Sequence, residues 1–208
     1  MTKNILELLD GKCTDGTRPK DIYELYISKN PADYTETIIA GLHSEKRKVQ
    51  SVCAEIASLL SEYKPEILYP YIELFVSNLE AKAPVLRWEA VCTLGNLASI
   101  DKNKLIPAYI DQIASFLRDK SIVLQGHAVR ALAKIAEAFP DEAPRILDKL
   151  LNSTEHFPGN RVGFIIEAME HFLPIEELKP KIRKFVEPHA ENTIKVVARK
   201  AKKILKKI

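Results

Sequence analysis

The sequence predicts an all-α fold: about five stacked helical hairpins with a helical cap ahead of them. Three observations predict it. First, Pro70, Pro107, Pro144 and Pro180 stand 37, 37 and 36 residues apart. Each is followed two residues on by a large apolar residue (Ile72, Tyr109, Ile146, Ile182) and six residues on by another (Val76, Ile113, Leu150, Val186). Self-similarity at such a period is the mark of a stacked helical array. Second, five other segments carry apolar or small residues at i, i+4, i+7 and i+8, which puts four side chains on one helix face. The sets are Val49/Cys53/Ile56/Ala57, Ala90/Leu94/Leu97/Ala98, Ala128/Leu132/Ile135/Ala136, Ile165/Met169/Phe172/Leu173 and Val197/Ala201/Ile204/Leu205. Their first members lie 41, 38, 37 and 32 residues apart, a second periodicity beside the first. Third, no segment sustains strand alternation, and 7 glycines leave little room for long irregular loops.

In chain order, Asn4-Ile5-Leu6-Glu7-Leu8-Leu9-Asp10 reads as a short helix stopped by Gly11, with a turn from Gly11 to Thr17. Thr17-Arg18-Pro19-Lys20-Asp21 reads as a helix start, because proline near the first helical position forfeits no hydrogen bond. A helix carrying Ile22, Leu25 and Tyr26 then runs to about Lys29, and residues 1–30 form the expected cap. Residues 31–208 form one continuous array, with repeats at about 31–62, 63–99, 100–138, 139–173 and 174–208. First helices are expected at about 31–42, 65–79, 102–118, 141–152 and 175–187, and second helices at about 45–61, 84–99, 121–138, 160–172 and 190–207. The connections Lys82-Ala83-Pro84, Asp119-Lys120-Ser121 and Phe157-Pro158-Gly159-Asn160 carry turn and cap residues. Proline inside a helix costs about 3 kcal/mol and less in the first turn, so four in register imply a repeated bend or a repeated start. The first repeat has Asp33 where the 37-residue step would place a proline, and its first helix should be straighter.

These features resemble the HEAT-repeat family. The first-helix prolines carry the resemblance, with the second-helix phrase Leu86-Arg87-Trp88-Glu89-Ala90-Val91-Cys92-Thr93-Leu94-Gly95-Asn96-Leu97-Ala98. Ala128-Val129-Arg130-Ala131-Leu132-Ala133-Lys134-Ile135-Ala136 matches the second half of that phrase. The family's arginine is matched only at Arg87, with Lys46, Gln125, Val162 and Ile194 at the positions taken as equivalent. The resemblance implies a right-handed α-α superhelix, its first helices convex and its second helices concave, of a kind that mostly holds other macromolecules.

If the four-residue sets are core, the opposite helix face lies at −2, +2 and +6 from each first member. On the implied concave side this gives Arg47, Ser51 and Glu55; Trp88, Cys92 and Asn96; Arg130 and Lys134 beside Gly126; and Glu167 and His171 beside Gly163. Exposed Trp and Arg on a rigid face are typical binding anchors. Trp88 equally suits packing into the next hairpin, and the two glycines suit a close approach of helices. The last helix contributes Lys195, Arg199 and Lys203, a basic patch read either as a solvated end or as a contact for an anionic partner. Residues 179–208 hold eleven Lys/Arg and two Glu, a balance of +9; with a net charge of +3 the remainder carries 3 − 9 = −6.

The five histidines show no i, i+4 pair, and the 3 cysteines (Cys13, Cys53, Cys92) show neither zinc spacing nor a disulfide framework. A reducing, cytoplasmic home is expected. There is no phosphate loop, nucleophile elbow or acid/base pair. No metal, cofactor or enzyme activity is therefore expected, and no apolar run approaches the roughly 18 to 20 residues of a membrane span. The leading expectation is a non-catalytic scaffold that binds a protein or peptide on the concave face. The alternative is nucleic-acid binding through the basic C-terminal helices, like HEAT-like DNA-repair glycosylases.

Overall fold

The structure is a computed structural model that describes residues 17–208. The expected helix over residues 4–10, the turn after it and Cys13 lie outside the described residues. Among the described residues all regular structure is helical. The chain divides into two compact units, Met1–Asp101 and Lys102–Ile208.

In the first unit, helix α1 (Pro19–Ile22) begins on Pro19, and the carboxylate of Asp21 accepts the Arg18 N–H. It passes into a π-helical stretch, Tyr23–Ile27. That wider turn puts Ile22 and Ile27 together in the core and turns Leu25 out, 64% exposed, against the expected 3.6-residue stripe. Tyr23 stacks on Tyr63 with ring centroids 5.9 Å apart. Helices α2 (Ala32–Leu42) and α3 (Arg47–Tyr63) form the first hairpin. As the absence of proline implies, α2 is uninterrupted. The second hairpin pairs α4 (Pro65–Leu68) and α5 (Ile72–Asn78) with α6 (Pro84–Leu97), and α3 packs extensively on α6.

The second unit holds three hairpins. Helix α7 (Ile110–Ser115) pairs with α8 (Ile122–Ala138), α9 (Ala143–Leu151) with α10 (Val162–Ala168), and α11 (Lys179–Val186) with α12 (Lys195–Leu205). Pro107, Pro144 and Pro180 stand at helix starts, whereas Pro70 marks a 3-10 break between α4 and α5. Pro70 and Pro107 lie in 3-10 turns that lead into α5 and α7. Pro144 and Pro180 are the second residues of α9 and α11. A first-turn N–H has no partner to lose at a helix start, and the 3-10 turn at Pro70 is where the first helix bends. The turn at Pro158 and Gly159 has dihedrals that suit a type II turn: Pro158 at φ −65° and ψ 155°, Gly159 at φ +66°.

All twenty apolar-set positions are buried except Leu205, which is half-buried. Their register, however, needs correcting. The helix starts Arg47, Pro84 and Ile122 are 37 and 38 residues apart. Cys53, not Val49, therefore matches Ala90; counted from Gly159, where a 3-10 turn leads into α10, to the start of α12 at Lys195, Ala201 and not Val197 matches Ile165. The intervals 41, 38, 37 and 32 become 37, 38, 37 and 36, and the short final repeat disappears. The slip is one helical turn, because a long buried stripe looks alike at every turn. A side-chain contact supports the correction. Gln50 Nε2 donates to the Leu42 carbonyl (2.9 Å) and Gln125 Nε2 to the Leu117 carbonyl (3.2 Å), each eight residues back at the end of the preceding first helix. Gln50, not Lys46, thus stands where Arg87 and Gln125 stand.

Polar ties join successive hairpins within each unit. Tyr71 donates to Glu36 (2.5 Å) between first helices of the first unit. In the second unit Arg145 and Lys149 pair with Asp111, and Lys181 with Asp148.

The candidate partner-binding face

The side chains expected on the second-helix face stay out of the core. Arg47, Arg130 and Glu167 are exposed, and Ser51, Glu55, Trp88, Cys92, Asn96, Lys134 and His171 are half-buried. The corrected register moves two residues. Arg47 and Lys195 are the first residues of α3 and α12, one turn before the rows formed by the others, and Lys207 joins Arg199 and Lys203.

In the first unit the face runs along α3 and α6. Asn96 Nδ2 donates to Ser61 Oγ (2.8 Å) and the Ser58 carbonyl (3.3 Å), tying the two helices. A concavity of about 470 Å³ opens at the helix starts, lined by Arg47, Gln50, Ser51, Lys82, Pro84 and Leu86 among others. Beside Trp88 sits a residue that sequence reasoning passed over. Burial pushes the Glu89 carboxyl up to about 7; hydrogen bonds from Ser58 and Trp88 oppose the shift and the nearby Glu55 charge adds to it. Burial also raises the Glu55 carboxyl.

In the second unit four of the expected residues come together. Arg130, Lys134, Glu167 and His171 line a concavity of about 460 Å³ with Ala133, Phe164 and Ala168. Arg130 Nε donates to the Gly126 carbonyl (3.3 Å). Glu167 accepts from Lys200 (2.8 Å), whose Nζ stands 5.9 Å from the Phe164 ring centroid. His171 Nδ1 lies 2.6 Å from a Glu137 carboxylate oxygen.

The two glycines owe nothing to backbone contact. A Cβ on Gly126 would meet Arg130 Nη2 at 3.6 Å and Phe164 at 3.7 Å, and one on Gly163 would meet Lys200 Cδ at 3.4 Å. Those are ordinary side-chain contacts. Phe164 and Lys200 belong to a half-buried row one residue past the expected face, together with Glu89 and His127. Burial, with help from the Arg130 charge, pushes the His127 imidazole down to about 4. The signal was available: these four residues recur at 38, 37 and 36 residues. A chemically mixed row does not register as a hydrophobic pattern.

At the basic end, Lys195, Arg199 and Lys203 are all exposed. Lys203 and Lys207 pair with Glu170, and Lys202 with Glu191. Among the described residues no group of three or more His, Cys, Asp or Glu is placed to hold a metal ion. No helix among them is long and apolar enough to cross a membrane.

No family model matches the chain, and no curated protein matches it. Solved structures do. The chain is similar to a designed armadillo repeat protein solved in complex with the peptide (KR)4, with a TM-score of 0.66 and 17% identity over 97% of this chain and 90% of that one. An engineered protein gives a TM-score of 0.64 at 17% identity over 100% of this chain and 93% of that one. A second engineered protein gives 0.56 at 18% identity over 99% and 96%. This likeness shows the fold: an all-α helical repeat of the HEAT/armadillo kind, as the spacing of the prolines and the second-helix phrases implied.

Proposed function

We propose that the protein is a non-catalytic interaction scaffold, working in the cytoplasm, that binds a protein or peptide on the face lined by its second helices. One observation carries the reading: Arg130, Lys134, Glu167 and His171 converge on a concavity floored by Ala133, Ala168 and Phe164. Charged groups around an apolar floor suit the side chains of a polypeptide. The designed armadillo repeat protein of similar fold, solved with a bound peptide, supports the same reading. Fold alone does not fix function, so the weight rests on the site.

The basic end supports a structural role more than nucleic-acid binding. Lys200, Lys203 and Lys207 are spent on Glu167 and Glu170 of the preceding hairpin. Affinity capture from the native cell, followed by the same capture with Trp88→Ala and Arg130→Ala, tests the scaffold. Both variants should keep the helical circular-dichroism spectrum and lose at least about three-quarters of the captured partner, the share expected when a hot-spot side chain worth about 1 kcal/mol is removed. Full capture by both variants would place the partner elsewhere.

A further inference from the structure

The second-helix face of the second unit is unevenly charged, and the imbalance has a location. It presents Arg130 and Lys134 from α8, and Arg199, Lys200, Lys203 and Lys207 from α12 and its end. Its carboxylates are Glu137, Glu167 and Glu170, and the last two are paired with lysines. Glu137 lies against His171, Glu167 binds Lys200, and Glu170 binds Lys203 and Lys207. Hydrogen bonds from Lys207 and then Lys203 hold the Glu170 carboxyl below its ordinary range, so it stays a carboxylate. Two guanidinium groups are left with no carboxylate among the described residues. Arg130 is exposed and spends only Nε, on a backbone carbonyl. Arg199 is exposed and makes no ion pair among the described residues.

We propose that this face takes an acidic peptide, with Arg130 and Arg199 as its two carboxylate anchors; the proposal rests on the scaffold reading above and names the class of partner. Guanidinium matches carboxylate in a two-pronged geometry that ammonium cannot form. Helix α10 stands between α8 and α12, so the anchors lie roughly 16–20 Å apart at ordinary helix spacing. An extended chain covers that distance in about five or six residues. The floor between the anchors is Ala133, Ala168 and the half-buried Phe164, which suits the intervening side chains. A nucleic-acid strand fits less well. It carries a charge about every 3.4 Å of helix axis, and most of these would face the apolar floor and Glu167.

Fluorescence anisotropy at about 50 mM salt, where ionic contacts are little screened, tests the proposal with three labelled probes: the peptides (DE)4 and (KR)4 and an eight-nucleotide single strand. The (DE)4 probe should bind tightest. Arg130→Glu with Arg199→Glu should weaken it at least about tenfold, as loss of desolvated charge pairs does. Arg183→Glu with Lys184→Glu changes net charge equally on α11 and should leave binding within about twofold. Circular dichroism checks that both variants fold. Equal loss from the two variants would reduce the effect to net charge and overturn the proposal. So would tighter binding of the oligonucleotide or of (KR)4. If (KR)4 binds and is lost on Trp88→Ala alone, the acidic assignment falls while the scaffold reading stands. Failure of all three probes overturns the acidic site, and the captured-partner experiment then decides the scaffold separately.

Discussion

Glu89 is the residue whose chemistry the fold changes most. The native protein holds its proton up to about pH 7, against an ordinary value of 4.5, because burial disfavours the charge. Between those values the folded state binds more protons than the unfolded one, so stability falls as pH rises. The contribution is fully present below about pH 4.5 and lost above about pH 7. His127 works in the opposite sense: its imidazole, held down to about 4 from 6.5, stays neutral in the fold. The unfolded chain protonates first as pH falls through 6.5, and stability falls with it. Glu89→Gln isolates the first effect. Its Tm should exceed that of the parent at pH 8, by roughly 5 °C for about 2 kcal/mol, and match it at pH 4. An equal difference at both pH values would mean that Glu89 is not neutralised by folding.

At the scale of single elements, the second helices carry both the core and the face, and small residues adjust the balance. Gly126 lies in the interior of α8, where glycine costs about 1 kcal/mol relative to alanine. A Cβ there meets nothing closer than 3.6 Å. Gly126→Ala should therefore stabilise the protein by about 0.5–1 kcal/mol, read as a higher urea midpoint with unchanged slope. A lower midpoint would mean that Arg130 and Phe164 cannot move aside. Caps show the same economy. Ser44, Asp119 and Asn192 each accept an N–H two residues on, just ahead of α3, α8 and α12. These short polar residues set the turn into each second helix.

At the scale of the whole molecule, each compact unit has its own core. In the second, Ile113, Leu132, Ile146, Ile165, Phe172 and Ile182 are fully buried. Arrays of this kind draw their stability from neighbouring repeats, so a run of three hairpins is close to self-sufficient. A fragment of residues 102–208 should keep a helical circular-dichroism spectrum and unfold cooperatively in urea. A non-cooperative loss of helix would show that its core depends on the residues before it.

The sequence by itself determined the repeat, its period and the identity of the buried positions. Those follow from local rules: proline suits a helix start, a turn or a break and not a helix interior, and apolar spacing of 3.6 residues marks one face. It also named residues that the fold gathers, Arg130 with Lys134, Glu167 and His171. It misjudged register in the first and last repeats, since a stripe looks the same after one turn and only the helix starts distinguish Val49 from Cys53. It read Ile22, Leu25 and Tyr26 as one ordinary helix, because the π turn that leaves Leu25 exposed is invisible to a 3.6-residue pattern. Pairing across hairpins was decided by tertiary structure alone. Residues about 33 to 37 apart meet there, which consumes Glu167 and Glu170 and leaves Arg130 and Arg199 without a carboxylate among the described residues, while burial in the packed array raises the Glu89 carboxyl. Charge balance at a face depends on which side chains reach one another, and reach is a property of packed helices.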